Sequence, residues 1–157
     1  MEKEPITVNG LNKLKEELIY LKEKKRPEII AAIAEARSHG DLSENAEYHS
    51  AKEKQSFIEG KIAELESIIA QADVIDVSVL TGKEIKFGAT VSVVDEDSEI
   101  ESTYQIVGEY ESDINNNKLS ISSPLARALI GKEKGSVVEF SSPKGIKTYS
   151  IKSVKYK

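Results

Sequence analysis

Two apolar runs spaced for a helical seam, with a short acidic turn between them, constrain this chain more than any other feature. Leu11, Leu14, Leu18 and Leu21 step by three, four and three residues. Ile58, Ile62, Leu65, Ile69 and Ala72 step by four, three, four and three. That alternation keeps apolar side chains on one stripe of an α-helix, as in the seam of a coiled coil. Between the runs lies Gly40-Asp41-Leu42-Ser43-Glu44-Asn45. Folding back near Asp41 sets Leu21 level with Ile62 and Leu11 level with Ala72. The predicted unit is an antiparallel helical finger about 45 Å long, from ~30 residues per helix at 1.5 Å rise. Its far end, residues 40–45, carries two carboxylates, which suits delivery of acid to a place that a globular surface does not reach.

Local signals refine this picture. Helix one is predicted to run from an N-cap at Asn9 to about Ser38, and helix two from about Ser43 to Ala72. Pro27 falls inside the first helix, where it removes a backbone hydrogen bond and predicts a kink. The apolar register slips beside it, since Ile29, Ile30 and Ile33 follow Leu21. Gly40 suits the left-handed conformation just past a helix end. Ala46, Tyr48, His49 and Ala51 open helix two with little apolar bulk, which predicts a slim tip region.

From Asp73 the texture changes. Ala89, Val91 and Val93, then Tyr104 and Ile106, alternate with polar residues, the period of half-buried strands. Glu109 to Asp113 and Leu119 to Ser122 are strand candidates around an Asn115-Asn116-Asn117 turn. Ser123-Pro124 caps a short helix, Leu125 to Ile130. Val137 to Phe140 and Thr148 to Tyr156 are further strands. The predicted class is α+β: a coiled-coil hairpin over residues 1–75, followed by a small α+β domain with an antiparallel sheet over 76–157.

Charge and composition exclude several functions. The net charge is −5, divided as −4 over residues 1–75 and −1 over the remainder, so wholesale wrapping of nucleic acid is ruled out. There is no cysteine, hence no disulfide or thiolate metal site. The start, Met1 to Pro5, lacks a signal-peptide core, and the longest apolar run, Ile29 to Ala34, is too short to span a bilayer. A cytoplasmic protein with no membrane partner is expected.

The tip admits two compatible readings. Asp-x-x-Glu at a helix start has the layout of a capping box, with Asp41 as N-cap and Glu44 at N3, both favoured by the helix dipole. Alternatively the two acids are hard oxygen ligands that complete the shell of a Mg²⁺ ion held elsewhere. Two carboxylates are enough to share such an ion but not to own it. His39 and His49 flank the turn and raise a zinc site as a further possibility, against which stands their reading as plain surface histidines. Arg37, Lys52 and Lys54 form either a small phosphate-binding patch or ordinary solvated charge. Tyr48 reads as a packing aromatic. No nucleophile–base pair, phosphate-binding loop or HExxH motif occurs, so no autonomous active site is visible.

Several segments carry a resemblance. Arg26-Pro27-Glu28-Ile29-Ile30, Ala34-Glu35-Ala36-Arg37 and Gly40-Asp41-Leu42-Ser43-Glu44-Asn45-Ala46-Glu47-Tyr48 are similar to the bacterial transcript cleavage factors of the GreA/GreB family. So are Phe87-Gly88-Ala89-Thr90-Val91, Tyr104-Gln105-Ile106-Val107-Gly108 and Ser122-Ser123-Pro124-Leu125-Ala126. The resemblance covers essentially the whole chain in order.

It implies a definite set of roles. The coiled coil would enter the secondary channel of RNA polymerase while an FKBP-like C-terminal domain docks at the channel rim through Ser122, Ser123, Pro124 and Leu125. Asp41 and Glu44 would stabilise the polymerase's weakly held second Mg²⁺ and position water. That stimulates the enzyme's own cleavage of the 3′ end of backtracked nascent RNA. The family's basic patch maps onto Arg37 and Lys52. The implied factor is a monomer that binds no cofactor alone, shares Mg²⁺ with the polymerase and is not itself an enzyme. Inhibitory members of the family carry additional acids at the tip, and only two here favours activation. The scarcity of basic residues near the tip favours short products, chiefly di- and trinucleotides. The rival readings are a non-catalytic coiled-coil adaptor, a polymerase-channel inhibitor of the same family, and an independent metallohydrolase using His39, Asp41, Glu44 and His49.

Overall fold

A computed structural model of the chain describes residues 3–40 and 45–156. The chain divides into two compact units. One spans Leu11–Ala72; the other joins Lys3–Gly10 to the chain from Asp73 onward. Residues 3–10, which the sequence reading placed with the finger, thus group with the C-terminal half.

The first unit is helical. Helix α1 (Val8–Tyr20) gives way to a wide turn at Leu21–Lys25, in which the Arg26 N–H bonds back to the Leu21 carbonyl. Helix α2 (Arg26–Arg37) and, after the turn, α3 (Ala46–Ala70) complete the unit. The single first helix expected from the sequence is therefore interrupted, and Pro27 explains why. Proline cannot donate to the carbonyl four residues back, and its ring crowds that carbonyl. Widening the preceding turn to an i→i−5 pattern relieves both problems. The widening also accommodates one extra residue. Continued from Leu21, the alternation would reach positions 28 and 35, whereas the partly buried Ile29 and the buried Ala36 sit one residue later.

Helices α2 and α3 run antiparallel, as their side-chain pairs record. Arg26 clasps Glu59 with two hydrogen bonds of 2.8 and 2.7 Å, and Lys22 lies 3.6 Å from Glu66. Such exposed, solvent-screened pairs contribute little, so they mark register more than they stabilise. Burial stabilises the unit. Leu65 is 1% exposed, and Ile62 and Ile68 are also buried. Leu11, Leu14, Leu18 and Leu21 are half-buried. The seam on α3 thus drifts from Ile69, expected to be its inward residue, to Ile68. Near the turn, Ala32, Ala36, Ala46 and Ala51 line the cleft between α2 and α3, which keeps this end narrow.

The second unit is built on a five-stranded sheet in the order β5-β4-β3-β7-β6. Its strands are β3 (Thr90–Asp95), β4 (Glu101–Val107), β5 (Lys118–Ser120), β6 (Val137–Ser142) and β7 (Gly145–Lys155). All pairs are antiparallel except β4 with β5, which run parallel, so the sheet is mixed at that edge. Burial along β3 alternates, with Val91, Val93 and Asp95 inward, as the period-two pattern predicts. The short helix α4 (Pro124–Leu129) adds Leu125, Ala126 and Leu129 to a core shared with Ile85, Ile106, Val138 and Ile151. Asp95 is the polar exception. The backbone N–H of Asp97, at 2.9 Å, and that of Ser98 hold its carboxyl below the usual carboxylate range, with Lys147 assisting.

Two features differ from expectation. Strand β1 (Glu4–Thr7), which the sequence reading did not contain, pairs with β2 (Ala72–Ile75). The segment Glu109–Asp113, expected as a strand, instead forms a one-turn helix at Glu109–Glu111, and another follows at Ile114–Asn116. Side chains compete for the backbone here: Glu111 accepts the Gly108 N–H, and Asp113 accepts the Asn115 N–H. Among the described residues, no helix is long and apolar enough to cross a membrane.

Candidate functional site

The tip is framed by the ends of α2 and α3. Helix α2 stops at Arg37, and Gly40 follows with φ +118°, a conformation that favours glycine. The candidate acids Asp41 and Glu44, with Leu42 and Ser43, lie outside the described residues. The first described residue after them, Asn45, is the N-cap of α3. Its Oδ1 accepts the Tyr48 N–H at 3.0 Å. The helix therefore begins at Ala46 and not near Ser43, and Asn45 occupies the capping position that the sequence reading assigned to Asp41.

Asn45 has a second function. Its Nδ2 donates to the Ala36 carbonyl at 2.6 Å, tying the start of α3 to the last turn of α2. Asn45 thus both caps α3 and cross-ties it to α2. Replacing Asn45 with Ala removes both bonds and should cost about 1–2 kcal/mol. Asn45→Asp, which keeps the acceptor and loses the donor, should cost distinctly less. Chemical denaturation checks the order, and an unaffected Asn45→Ala protein would show that the cap contributes nothing.

The surrounding candidates are exposed. Arg37 sits in the last turn of α2. Lys52, nearly two turns into α3, reaches Gln55 Oε1 at 3.2 Å. The two cations thus come from opposite arms of the hairpin. His39 and His49 are both exposed, and the His49 ring lies 5.6 Å from that of Tyr48. Among the described residues, no group of three or more His, Cys, Asp or Glu is placed to hold a metal ion.

The segment Ser122 to Leu125 forms the entry to α4. Ser123 is its N-cap, with Oγ accepting the Ala126 N–H at 3.2 Å, and Pro124 takes the first helical position. Ser122 is exposed and its hydroxyl lies 2.8 Å from that of Ser120. Leu125, in contrast, is turned into the core. Its side chain is used for packing, so Ser122 and Pro124 are the residues of this group that present surface. The family resemblance that singled out these four residues does not separate them; the burial of Leu125, with Ala126 and Leu129, does.

Comparison with known proteins adds a separate line of observation. The family model described as "Transcription elongation factor, N-terminal" matches residues 4–74. The one described as "Transcription elongation factor, GreA/GreB, C-term" matches residues 80–156. The chain is 63% identical over 156 residues to "Transcription elongation factor GreA" of Caulobacter vibrioides, covering 99% of each chain. It is 60% identical to the protein of the same name from Phenylobacterium zucineum, again over 99% of each. Among solved structures, GreA factor homolog 1 of Thermus thermophilus is similar at 25% identity, with 99% of each chain covered and a TM-score of 0.45.

Proposed function

Because this chain belongs to the GreA/GreB family of transcription elongation factors, we propose that it acts on RNA polymerase as an activator of transcript cleavage and is not itself an enzyme. Full-length similarity to elongation factors is the observation that carries this reading. The narrow end of the hairpin supports it, because alanines in the α2–α3 cleft and the Asn45 tie keep that end slender and closed.

The finger enters the secondary channel of the polymerase, and the bulk of the protein stays at the rim. Ser122, Ser123 and Pro124, at the entry to α4, contact that rim, while Leu125 holds the segment down from inside. Asp41 and Glu44 would hold the weakly bound Mg²⁺ of the polymerase through their carboxylate oxygens and would position the attacking water. Two hard oxygen donors fit Mg²⁺, which takes one or two carboxylates and completes its shell with water and phosphate oxygens. Two metal ions flanking a phosphodiester activate water and stabilise the leaving oxygen. Arg37 and Lys52 neutralise phosphates of the extruded RNA 3′ end from the two arms of the hairpin. The factor works in the cytoplasm, where transcription proceeds, and the products are short, chiefly di- and trinucleotides.

The test uses an elongation complex stalled and backtracked on RNA labelled at its 3′ end. Adding the purified protein with Mg²⁺ should release short labelled fragments and restore extension. The protein mixed with the same RNA alone should cleave nothing. Cleavage without polymerase would make the protein a hydrolase in its own right, and slowed cleavage with polymerase would make it an inhibitor. Either result overturns the proposal.

A further inference from the structure

Phe57 is 75% exposed, whereas the other large apolar residues of α3 are buried or half-buried. It lines a groove of about 700 Å³ between α3 and the opposite arm, whose other apolar walls are Tyr20, Leu21, Ile29, Ala32 and Ile58. From Tyr20 to Ala32 the groove follows about 18 Å of helix, at 1.5 Å rise per residue. Three residues beyond Phe57, on the same helical face, stands Gly60. Glycine inside a helix weakens it relative to alanine, so a helical glycine calls for a reason. Packing within the chain gives none: among the described residues, a Cβ at Gly60 would meet no atom within 4 Å. An exposed ring beside a spot without a side chain is the relief that a second helix, approaching closely, would complement.

The charges around the groove discriminate between occupants. Lys25 is paired with Glu28 at 3.5 Å, and its ammonium lies 5.8 Å from the Tyr20 ring centre. Among the described residues, Glu53 and Lys54 enter no ion pair. The two lysines and two glutamates that line the groove cancel, so the phosphates of a nucleic acid gain nothing there. A second copy would set one acidic finger against another, since residues 1–75 carry net −4. A helix with an apolar stripe and charges of both signs meets every feature: the stripe covers Phe57, its backbone comes close at Gly60, a base faces Glu53 and an acid faces Lys54. We propose that this groove receives an amphipathic helix of RNA polymerase, with Phe57 as the anchor. The choice of partner rests on the polymerase reading above. An exposed apolar surface of this kind marks an interaction site, and aromatic anchors carry a large share of such binding.

Binding of the full chain, fluorescently labelled, to core RNA polymerase tests the proposal. Phe57→Ser should raise the dissociation constant by about tenfold or more, as for truncation of an interface anchor. Its unfolding midpoint should stay where it is, because the ring is not packed in the free protein. Phe57→Leu, which remains apolar, should keep most of the affinity. Gly60→Leu fills the hollow and strengthens the helix. It should bind about tenfold more weakly while unfolding no earlier than the wild type. Wild-type affinity in Phe57→Ser or Gly60→Leu overturns the proposal, as does a Phe57→Ser protein that loses stability along with affinity. A wild-type dimer in sedimentation that Phe57→Ser dissolves would give the groove to a second copy. Binding of a labelled RNA oligonucleotide that the same variant abolishes would give it to nucleic acid, and either result overturns the proposal. A wild-type chain without affinity for polymerase would sink the functional reading and the groove's partner together. A wild type that binds, with Phe57 indifferent, would sink the groove alone.

Discussion

Asp41→Asn combined with Glu44→Gln should lower stimulated cleavage of backtracked RNA by about a hundredfold or more, the consequence of losing several kcal/mol of charge stabilisation in the transition state. Each replacement keeps the size of the side chain and removes its negative charge, so the loss tests ligation of a cation and little else. The structure sharpens the experiment. The N-cap of α3 is Asn45, which both substitutions leave in place, so the helix start is not weakened by them. Affinity for the polymerase should hold as well, since the proposed rim contact at Ser122, Ser123 and Pro124 lies in the other unit. The assay compares maximal cleavage rate and half-saturating concentration for the two proteins. A double variant that cleaves at the wild-type rate would remove the tip acids from the mechanism.

Leu65→Ala should destabilise the helical unit by about 2–5 kcal/mol, through lost transfer energy and the cavity left behind. Leu65 is 1% exposed, with Ile62 and Ile68 buried on the same helix, so the site has little freedom to collapse. Leu18, equivalent to it in the spacing pattern, is only half-buried. Its replacement by Ala should cost roughly half as much or less, because the stabilisation follows the apolar area removed from water. Denaturant titration followed by helical circular dichroism gives both values. Equal losses at the two positions would mean that the seam is as tight at α1 as at α3, contrary to the burial seen.

Much of this architecture was readable from residues whose information is local. The 3-4 alternation names the inward stripe because helix geometry repeats every 3.6 residues, and α3 keeps Ile62 and Leu65 where that rule puts them. Pro27 and the slip after Leu21 signalled a disturbance, but not its form; a wide turn and a sharp kink leave the same mark in a sequence. The cap of α3 was ambiguous because Asp41, Ser43 and Asn45 are all competent caps within five positions. Long-range features left no trace. Strand β1 is four residues long and finds its partner almost seventy residues later, and Glu111 looked like a strand residue because its true contacts lie at Thr7. At the tip, residue type and family resemblance supply only the proposal for Asp41 and Glu44, and the flanking cap and cross-tie came from the structure.

The wide turn at Leu21–Lys25 has a directional consequence. Each residue of an α-helix advances the azimuth by about 100°, so one residue taken up in a turn is a rotation of α2 about its own axis and not merely a change of length. The compass heading of everything distal to Arg26 is consequently set halfway along the shaft, by Pro27 and the carbonyls before it. A chain could re-aim its working end by trimming that single coil while leaving every residue of the end itself unaltered.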